Sequence, residues 1–110
     1  MLPAEERRLD AVFHALSNRT RRALLQSLEA GPARVSALAE PHKMSVAAVS
    51  KHLFVLERAG LIERTREGSI QSCVLNAGPL ESAEAWIARY RRFWSEKLDR
   101  LAKLVEKRTR

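Results

Sequence analysis

Apolar residues recur at helical spacing in two segments of the first third of the chain. The first segment has apolar side chains at i, i+3, i+4 and i+7, namely Leu9, Val12, Phe13 and Leu16. A proline at position 3 suits the start of this helix, and Ser17-Asn18 offers a stop and a new N-cap. The second apolar face consists of Leu24, Leu25 and Leu28, and Gly31-Pro32 ends it. Two successive helices are therefore predicted before residue 33.

The middle of the chain has the spacing of a helix-turn-helix. A short helix is predicted from Arg34 to about Glu40, because Pro41 disfavours helical backbone in the residue before it. After a short turn, Ser45 is a suitable N-cap for a further helix that runs to about Ala59. The inward face of that helix is formed by Val49, Leu53 and Leu56. The helix-turn-helix is thus predicted over residues 34–59.

Two strands and a long helix complete the predicted elements. Leu61–Arg66 and Ser69–Leu75 flank Glu67-Gly68, which predicts a hairpin, or wing, over residues 61–75. After a break at residues 76–79, a helix is predicted over residues 80–107. Four helices, two strands and a last helix are typical of a winged helix-turn-helix. The predicted fold is mainly α with a small β-hairpin, in one domain that spans residues 1–110.

The composition fits one compact domain without an internal disulfide. The chain has 110 residues, a formal net charge of +7 and a single cysteine. No apolar run approaches the roughly 18 residues that cross a membrane, and the N-terminus lacks a signal-peptide layout. We therefore expect a soluble, cytoplasmic protein without a membrane partner. The positive charge favours a nucleic-acid partner, although most of the excess lies in the C-terminal quarter of the chain.

Four stretches resemble the ArsR (arsenic-repressor-like) family of bacterial transcription regulators. They are FHALSNRTRRALL at Phe13–Leu25, VSALAEPHKMSVAAVSKHLFVL at Val35–Leu56, ERAGLIERTR at Glu57–Arg66 and WIARYRRFWSEKLDRL at Trp86–Leu101. The last stretch is similar to a metal-independent branch whose members are often encoded beside START-like hydrophobic-ligand-binding proteins. The resemblance covers about residues 9–106 and implies a DNA-binding repressor.

The resemblance also implies that the protein holds no metal and no cofactor. Metal-sensing members carry a Cys-x-Cys pair on the third helix or a His/Asp set on the last helix. Here the third helix reads VSALAE, the last helix has no histidine, and His14, His42 and His52 stand singly. Cys73 is expected to be a half-buried packing residue rather than a redox switch. The sequence contains no Ser/His/Asp, Cys/His or phosphate-loop arrangement, so we expect no enzymatic activity.

Helical geometry identifies candidate DNA contacts on the second helix of the helix-turn-helix. The N-cap, the outer face and its flanks carry Ser45, Val46, Ala47, Ser50, Lys51 and His52. Small side chains permit close approach to base edges, Lys51 can reach guanine or phosphate, and His52 can donate to a phosphate oxygen. An ordinary amphipathic helix with a solvated face is the alternative. Phe54 also faces outward, where packing against the wing or neighbouring helices is favoured over a base contact.

The predicted wing and the second helix add further basic candidates. Arg64 and Arg66 lie at period two, so both project from one side of the hairpin and suit a narrow minor groove. Arginine also occurs on surface hairpins for solubility, and two neighbouring glutamates dilute this charge. Arg21 and Arg22, at the start of the second helix, are expected either to contact the DNA backbone or to form a structural salt bridge.

The last predicted helix carries an apolar seam too long for one small domain to cover. Its members, at spacings of three or four over roughly 40 Å, are Leu80, Ala83, Ile87, Tyr90, Trp94, Leu98, Leu101 and Val105. With Leu9, Val12 and Phe13 of the first helix, this seam is predicted to form a homodimer interface. The alternative is a helix folded wholly onto its own core. The helix dipole and i,i+4 ion pairs account for much of the charge of this helix, but they leave Arg89, Arg91 and Arg92 unexplained.

The sequence therefore predicts a homodimeric, sequence-specific DNA-binding transcriptional regulator, and the family resemblance makes it a repressor. Its partner is double-stranded operator DNA with pseudo-palindromic half-sites. The alternative is a protein–protein interaction module that uses the same winged-helix scaffold without binding DNA. No particular inducer is implied by these residues.

Overall fold

The structure, a computed structural model, describes residues 3–109. These residues form five α-helices and three strands, in the order α1 (Ala4–Leu16), α2 (Arg19–Leu28), β1 (Ala33–Arg34), α3 (Val35–Ala39), α4 (Val46–Arg58), β2 (Ile62–Glu67), β3 (Ile70–Leu75) and α5 (Leu80–Thr109). The predicted winged helix-turn-helix is confirmed. The helix α3 is shorter than expected, because a 3-10 turn over Glu40–His42 takes up its predicted end and accommodates Pro41.

Local sequence explains where the helices begin and end. At the start of α2, the side chain of Asn18 accepts a hydrogen bond from the backbone N–H of Arg21 at 3.1 Å. At the start of α4, Ser45 Oγ accepts from the N–H of Ala48 at 3.1 Å. Beyond the end of α4, Gly60 has a φ of +76°, a left-handed conformation that glycine adopts without strain. Both predicted N-caps are therefore confirmed.

The sheet contains a strand that the apolar pattern did not predict. The strand β1 pairs antiparallel with β3, so the strand order is β1-β3-β2. Two residues are too few to show the apolar–polar alternation of a strand, so β1 is identified only by its pairing with β3. In the β2–β3 hairpin, Glu67 pairs with Ile70, which places the two loop residues at Gly68-Ser69, one position later than predicted. Gly68 has a φ of +63° at the first loop position, where a type II′ turn requires glycine.

The hydrophobic core lies among α1, α2, α3, α4 and the sheet. Its largest fully buried side chains are Leu24, Leu53, Leu56, Leu61, Ile62, Val12, Val49 and Cys73. The predicted inward face of α4 is confirmed, because its three apolar residues are all in this set. The opposite face of α4 is consequently left outside the core.

The helix α5 extends beyond this core. Its 30 residues span about 45 Å at 1.5 Å per residue, and every residue from position 84 to 109 is exposed. The radius of gyration is 19.2 Å, whereas a compact domain of this length has about 13 Å. The alternative of a last helix folded wholly onto its own core is therefore wrong. No helix within residues 3–109 combines the length and apolar character needed to cross a membrane.

Candidate nucleic-acid interface

The first half of α4 presents small side chains to solvent. Ser45, Val46 and Ala47 are exposed, and Val46 is 50% exposed although it is apolar. Lys51 is exposed one turn further along, while Ser50 and His52 are half-buried at the flanks of this face. Small groups beside a lysine allow the helix to approach base edges closely, with a donor in reach of guanine or phosphate.

The two wing arginines lie on the same side of the hairpin but in different environments. Arg64 pairs with Cys73 and Arg66 pairs with Gln71 across the β2–β3 ladder. Arg64 is half-buried and donates from Nη2 to Oε1 of Gln71 at 2.8 Å. Arg66 is exposed, and its Nε donates to the carbonyl of Gly68 at the tip, at 3.2 Å. Arg66 is therefore the wing cation that is most accessible to a ligand.

One cleft joins α4, the wing and the start of α3. It is lined by Arg34, Val35, Ser36, Val46, Ser50, Ser69, Ile70 and Gln71. A duplex that met α4 would therefore also meet the hairpin tip, which brings together elements distant in the sequence. Arg34 and Ser36 are not among the site residues predicted from the sequence. Their place depends on β1, whose pairing with β3 carries the start of α3 beside the wing.

Arg21 is a structural residue, and both predictions made for it are wrong. Only 9% of the residue is exposed, so its guanidinium does not meet a DNA backbone. It bonds to two carbonyl oxygens, those of His14 and Ala15, and to the ring of His52, rather than to a carboxylate. Arg22 likewise donates to a carbonyl, that of Leu16, at 2.7 Å. Both arginines thus donate to backbone carbonyls in the last turn of α1.

Phe54 is not covered by the wing or by a neighbouring helix, contrary to the expected packing. Its side chain is 53% exposed and lies beside the guanidinium of Arg58, whose Cζ is 5.8 Å from the ring centroid. With Ala11 and His14 of α1 it lines a groove between α1 and α4.

The exposed part of α5 carries large apolar side chains, most of them in the predicted seam. Trp86, Ile87, Tyr90, Phe93, Trp94, Leu98, Leu101, Leu104 and Val105 are all exposed. Leu80 of α5 and Leu9 and Phe13 of α1 are all half-buried, and Leu80 packs against the core. Two predicted interface residues are corrected: Val12 and Ala83 are 0% and 4% exposed within one chain, so neither has surface left for a partner.

The remaining candidates for metal or redox chemistry form no cluster within residues 3–109. Cys73 is fully buried rather than half-buried, and burial raises the pKa of its thiol, with the nearby Arg64 opposing this shift. In the part of the chain that the structure describes, no three His, Cys, Asp or Glu side chains come together as a metal site. Arg91 forms a loose, exposed ion pair with Glu84 at 3.7 Å, which contributes little stability.

Known proteins share this architecture. A family model described as a helix-turn-helix domain matches residues 16–65. The chain is 30% identical to the transcriptional repressor SdpR of Bacillus subtilis (strain 168), over 74% of this chain and 91% of that protein. The crystal structure of the ArsR family transcriptional regulator RHA00566 superimposes with a TM-score of 0.76 and 37% identity, over 86% of this chain and 97% of that one.

A further similar structure is a homodimeric winged helix-turn-helix DNA-binding domain from Mycobacterium bovis, solved by solution NMR and described as a possible ArsR-family transcriptional regulator. It superimposes with a TM-score of 0.62 and 26% identity, over 78% of this chain and 82% of that one.

An exposed helix beside a basic hairpin, on a winged helix-turn-helix scaffold, defines a DNA-binding transcriptional regulator. The chain belongs to the ArsR family of such regulators. The resemblance inferred from the sequence is confirmed. The alternative of a winged-helix module that binds only proteins is not favoured.

Proposed function

We propose that the protein is a homodimeric repressor that occupies a pseudo-palindromic operator, with α4 in the major groove and the wing at the adjacent minor groove. One observation carries this proposal: the exposed face of α4 and the hairpin tip border the same cleft. Repression follows from occupancy of the operator and needs no chemical step, metal or cofactor. The proposed compartment is the cytoplasm, where bacterial DNA lies.

The proposed DNA contacts come from two elements, α4 and the wing, whose side chains suit different parts of the duplex. On α4, the proposed contact residues are Ser45, Val46, Ala47, Ser50, Lys51 and His52. At the wing, the exposed Arg66 is the proposed minor-groove or phosphate contact. Arg64 supports the wing from its base through the hydrogen bond to Gln71, and contributes its charge from there.

The surface of α5 supports the homodimer. Exposed aromatic and aliphatic side chains continue along most of its length, which is unusual for a surface that stays in water. The proposed interface consists of Leu9, Phe13, Leu80, Ile87, Tyr90, Trp94, Leu98, Leu101 and Val105. The homodimeric state of the Mycobacterium bovis domain supports this assembly. A two-fold axis through it would present two α4 helices to half-sites about 34–36 Å apart, or a multiple of that distance.

Footprinting on the DNA upstream of the protein's own gene tests this function. We expect the intact chain to protect one pseudo-palindromic segment, with an affinity far above that for random duplex. The logarithm of the binding constant should fall linearly with the logarithm of salt concentration, by about 0.9 per phosphate contacted. Equal affinity for upstream and random DNA, or a flat salt response, would contradict a specific regulator and favour the interaction module.

A further inference from the structure

Arg21 is a buried cation whose hydrogen-bond partners are all neutral. Its Nε donates to the carbonyl of Ala15 at 2.8 Å, and its Nη2 donates to the carbonyl of His14 at 2.9 Å. Both carbonyls belong to the last turn of α1, the end at which a helix carries partial negative charge. Within residues 3–109 the one ion pair is that of Arg91 and Glu84, so no carboxylate neutralises Arg21. The guanidinium is thus held by backbone carbonyls and not by a carboxylate.

The third contact of Arg21 joins α2 to α4. Its Nη1 lies 3.3 Å from Nδ1 of His52. A guanidinium only donates and does not lose its proton, so Nδ1 must be the acceptor and carries no hydrogen. The hydrogen of the neutral imidazole is then on Nε2. Burial, followed by the charges of Arg21 and His42, lowers the pKa of His52, which keeps the ring neutral at pH 7.

The position of His52 on α4 allows the Nε2–H of this tautomer to act as a hydrogen-bond donor beside the proposed DNA-contacting face. His52 follows Lys51 and is half-buried at the flank of the proposed DNA-contacting face. Because Nδ1 is turned toward Arg21, Nε2 is the ring nitrogen that Arg21 does not engage. Among the described residues, Nδ1 is the ring atom that finds a partner, and Nε2 finds none. An N–H donor at this flank suits a phosphate oxygen, which fixes the register of the protein on DNA.

We propose that Arg21 is a positioning residue that holds His52 as its Nε2–H tautomer and so presents one uncharged N–H donor to an operator phosphate. This inference rests on the proposed function and deepens it, since Arg21 acts on DNA through the imidazole without touching the duplex. An uncharged donor adds affinity without the counterion release that a lysine or arginine provides. Loss of the His52 contact should therefore weaken binding and leave the salt slope unchanged.

A pair of variants separates the two edges of the imidazole. In His52→Gln the amide nitrogen can take the place of Nε2, whereas in His52→Asn it lies nearer the place of Nδ1. We expect His52→Gln to bind the operator within about threefold of the parent. We expect His52→Asn to bind about tenfold more weakly, the effect of one net hydrogen bond to a charged group. Both variants should keep the parent's salt slope.

Imidazole ¹⁵N NMR of the free protein detects the tautomer independently of DNA. We expect an unprotonated Nδ1 and a protonated Nε2 for His52 at neutral pH. Arg21→Met should mix the two tautomers, while the matched control Arg22→Met should not, because Arg22 bonds to a carbonyl and not to His52. If Arg21→Met fails to fold, the parent spectrum still tests the tautomer of His52, and the two His52 variants still test its contact with the operator.

Two results would overturn the proposal: a protonated Nδ1 in the parent, or equal operator affinities for the parent and both His52 variants. In the second case, a parent that still footprints its operator leaves the proposed function standing. A parent that binds no upstream DNA instead overturns the proposed function, and the inference about an operator phosphate falls with it.

Discussion

The rings of Phe13 and Trp86 pack edge to face, with centroids 5.7 Å apart, and join α1 to the second turn of α5. Trp86 also contacts Tyr90, at a centroid distance of 5.1 Å. Beyond this aromatic cluster the apolar side chains of α5 are exposed. The Phe13–Trp86 contact therefore ties α5 to α1 within one chain, beside the apolar surface proposed for a second copy.

Introducing charge on that surface should dissociate the dimer. The double variant Leu98→Glu with Leu101→Glu places two carboxylates where the proposed interface would bury them, which is unfavourable without partners. We expect a monomer in light scattering at concentrations where the parent is dimeric, with loss of tight operator binding. The matched control is Lys103→Glu, on the same helix but about 200° around its axis from Leu101. A double variant that still dimerises would assign the interface to another surface.

Truncation of the α4 side chains should change base discrimination rather than overall affinity. Lys51→Ala and Ser50→Ala remove groups outside the core, so thermal melts should resemble those of the parent. If a base contact is lost, discrimination should fall by about 1–3 kcal/mol at one or two operator positions. The measurement is a set of single-base operator variants titrated with each protein. Unchanged discrimination in both variants would exclude α4 as the element that reads bases.

The wing should respond differently from α4. Arg66→Ala is expected to weaken binding evenly across operator variants and to lower the salt slope by about one, through loss of a phosphate contact. Arg64→Ala should have the smaller direct effect, because the Arg64 guanidinium is engaged with Gln71. A loss confined to A·T-rich operators would instead show that the wing responds to groove width. If Arg66→Ala retains the parent's affinity and slope, the wing tip does not touch DNA.

Acidification below about pH 6.5 should destabilise the fold through His52. The folded pKa of His52 is lowered from 6.5, chiefly by burial, so the unfolded state binds more protons between the folded pKa and 6.5. The free energy of unfolding therefore falls as pH drops through this window, and the full stability is present above it. Urea unfolding at about pH 7.5 and about pH 5.5 measures the change. His52→Gln should show a smaller pH dependence; an equal dependence would place its origin elsewhere.

Cys73 should react with thiol reagents only when the protein unfolds. Its side chain is fully buried and burial raises its pKa, so little thiolate is available to attack. We expect no labelling by a disulfide reagent in native buffer and complete labelling in denaturant. Cys73→Ser should lower the free energy of unfolding by about 1–3 kcal/mol, the cost of burying a hydroxyl without a partner. Release of operator DNA by mild peroxide would contradict this packing role.

Most of the helices and strands could be predicted from the sequence, because their signals are local. The helix starts at Asn18 and Ser45 depend on side chains that bond within three residues, and the buried face of α4 follows from helical period alone. The family resemblance was likewise carried by short stretches of sequence. Those signals need no knowledge of what lies across the molecule.

Relationships between residues distant in the sequence could not be predicted, because they depend on how the elements pack together. Arg21 and His52 are 31 positions apart, and no pattern in either segment predicts their contact. The strand β1 exists only because β3 pairs with it, and that pairing brings Arg34 and Ser36 to the cleft. Val12 and Ala83 lie at apolar-face spacings on α1 and α5, but the packing of α1 and the start of α5 onto the domain buries both. Spacing states which face a residue occupies, whereas the packing of other elements decides whether that face meets core, solvent or partner.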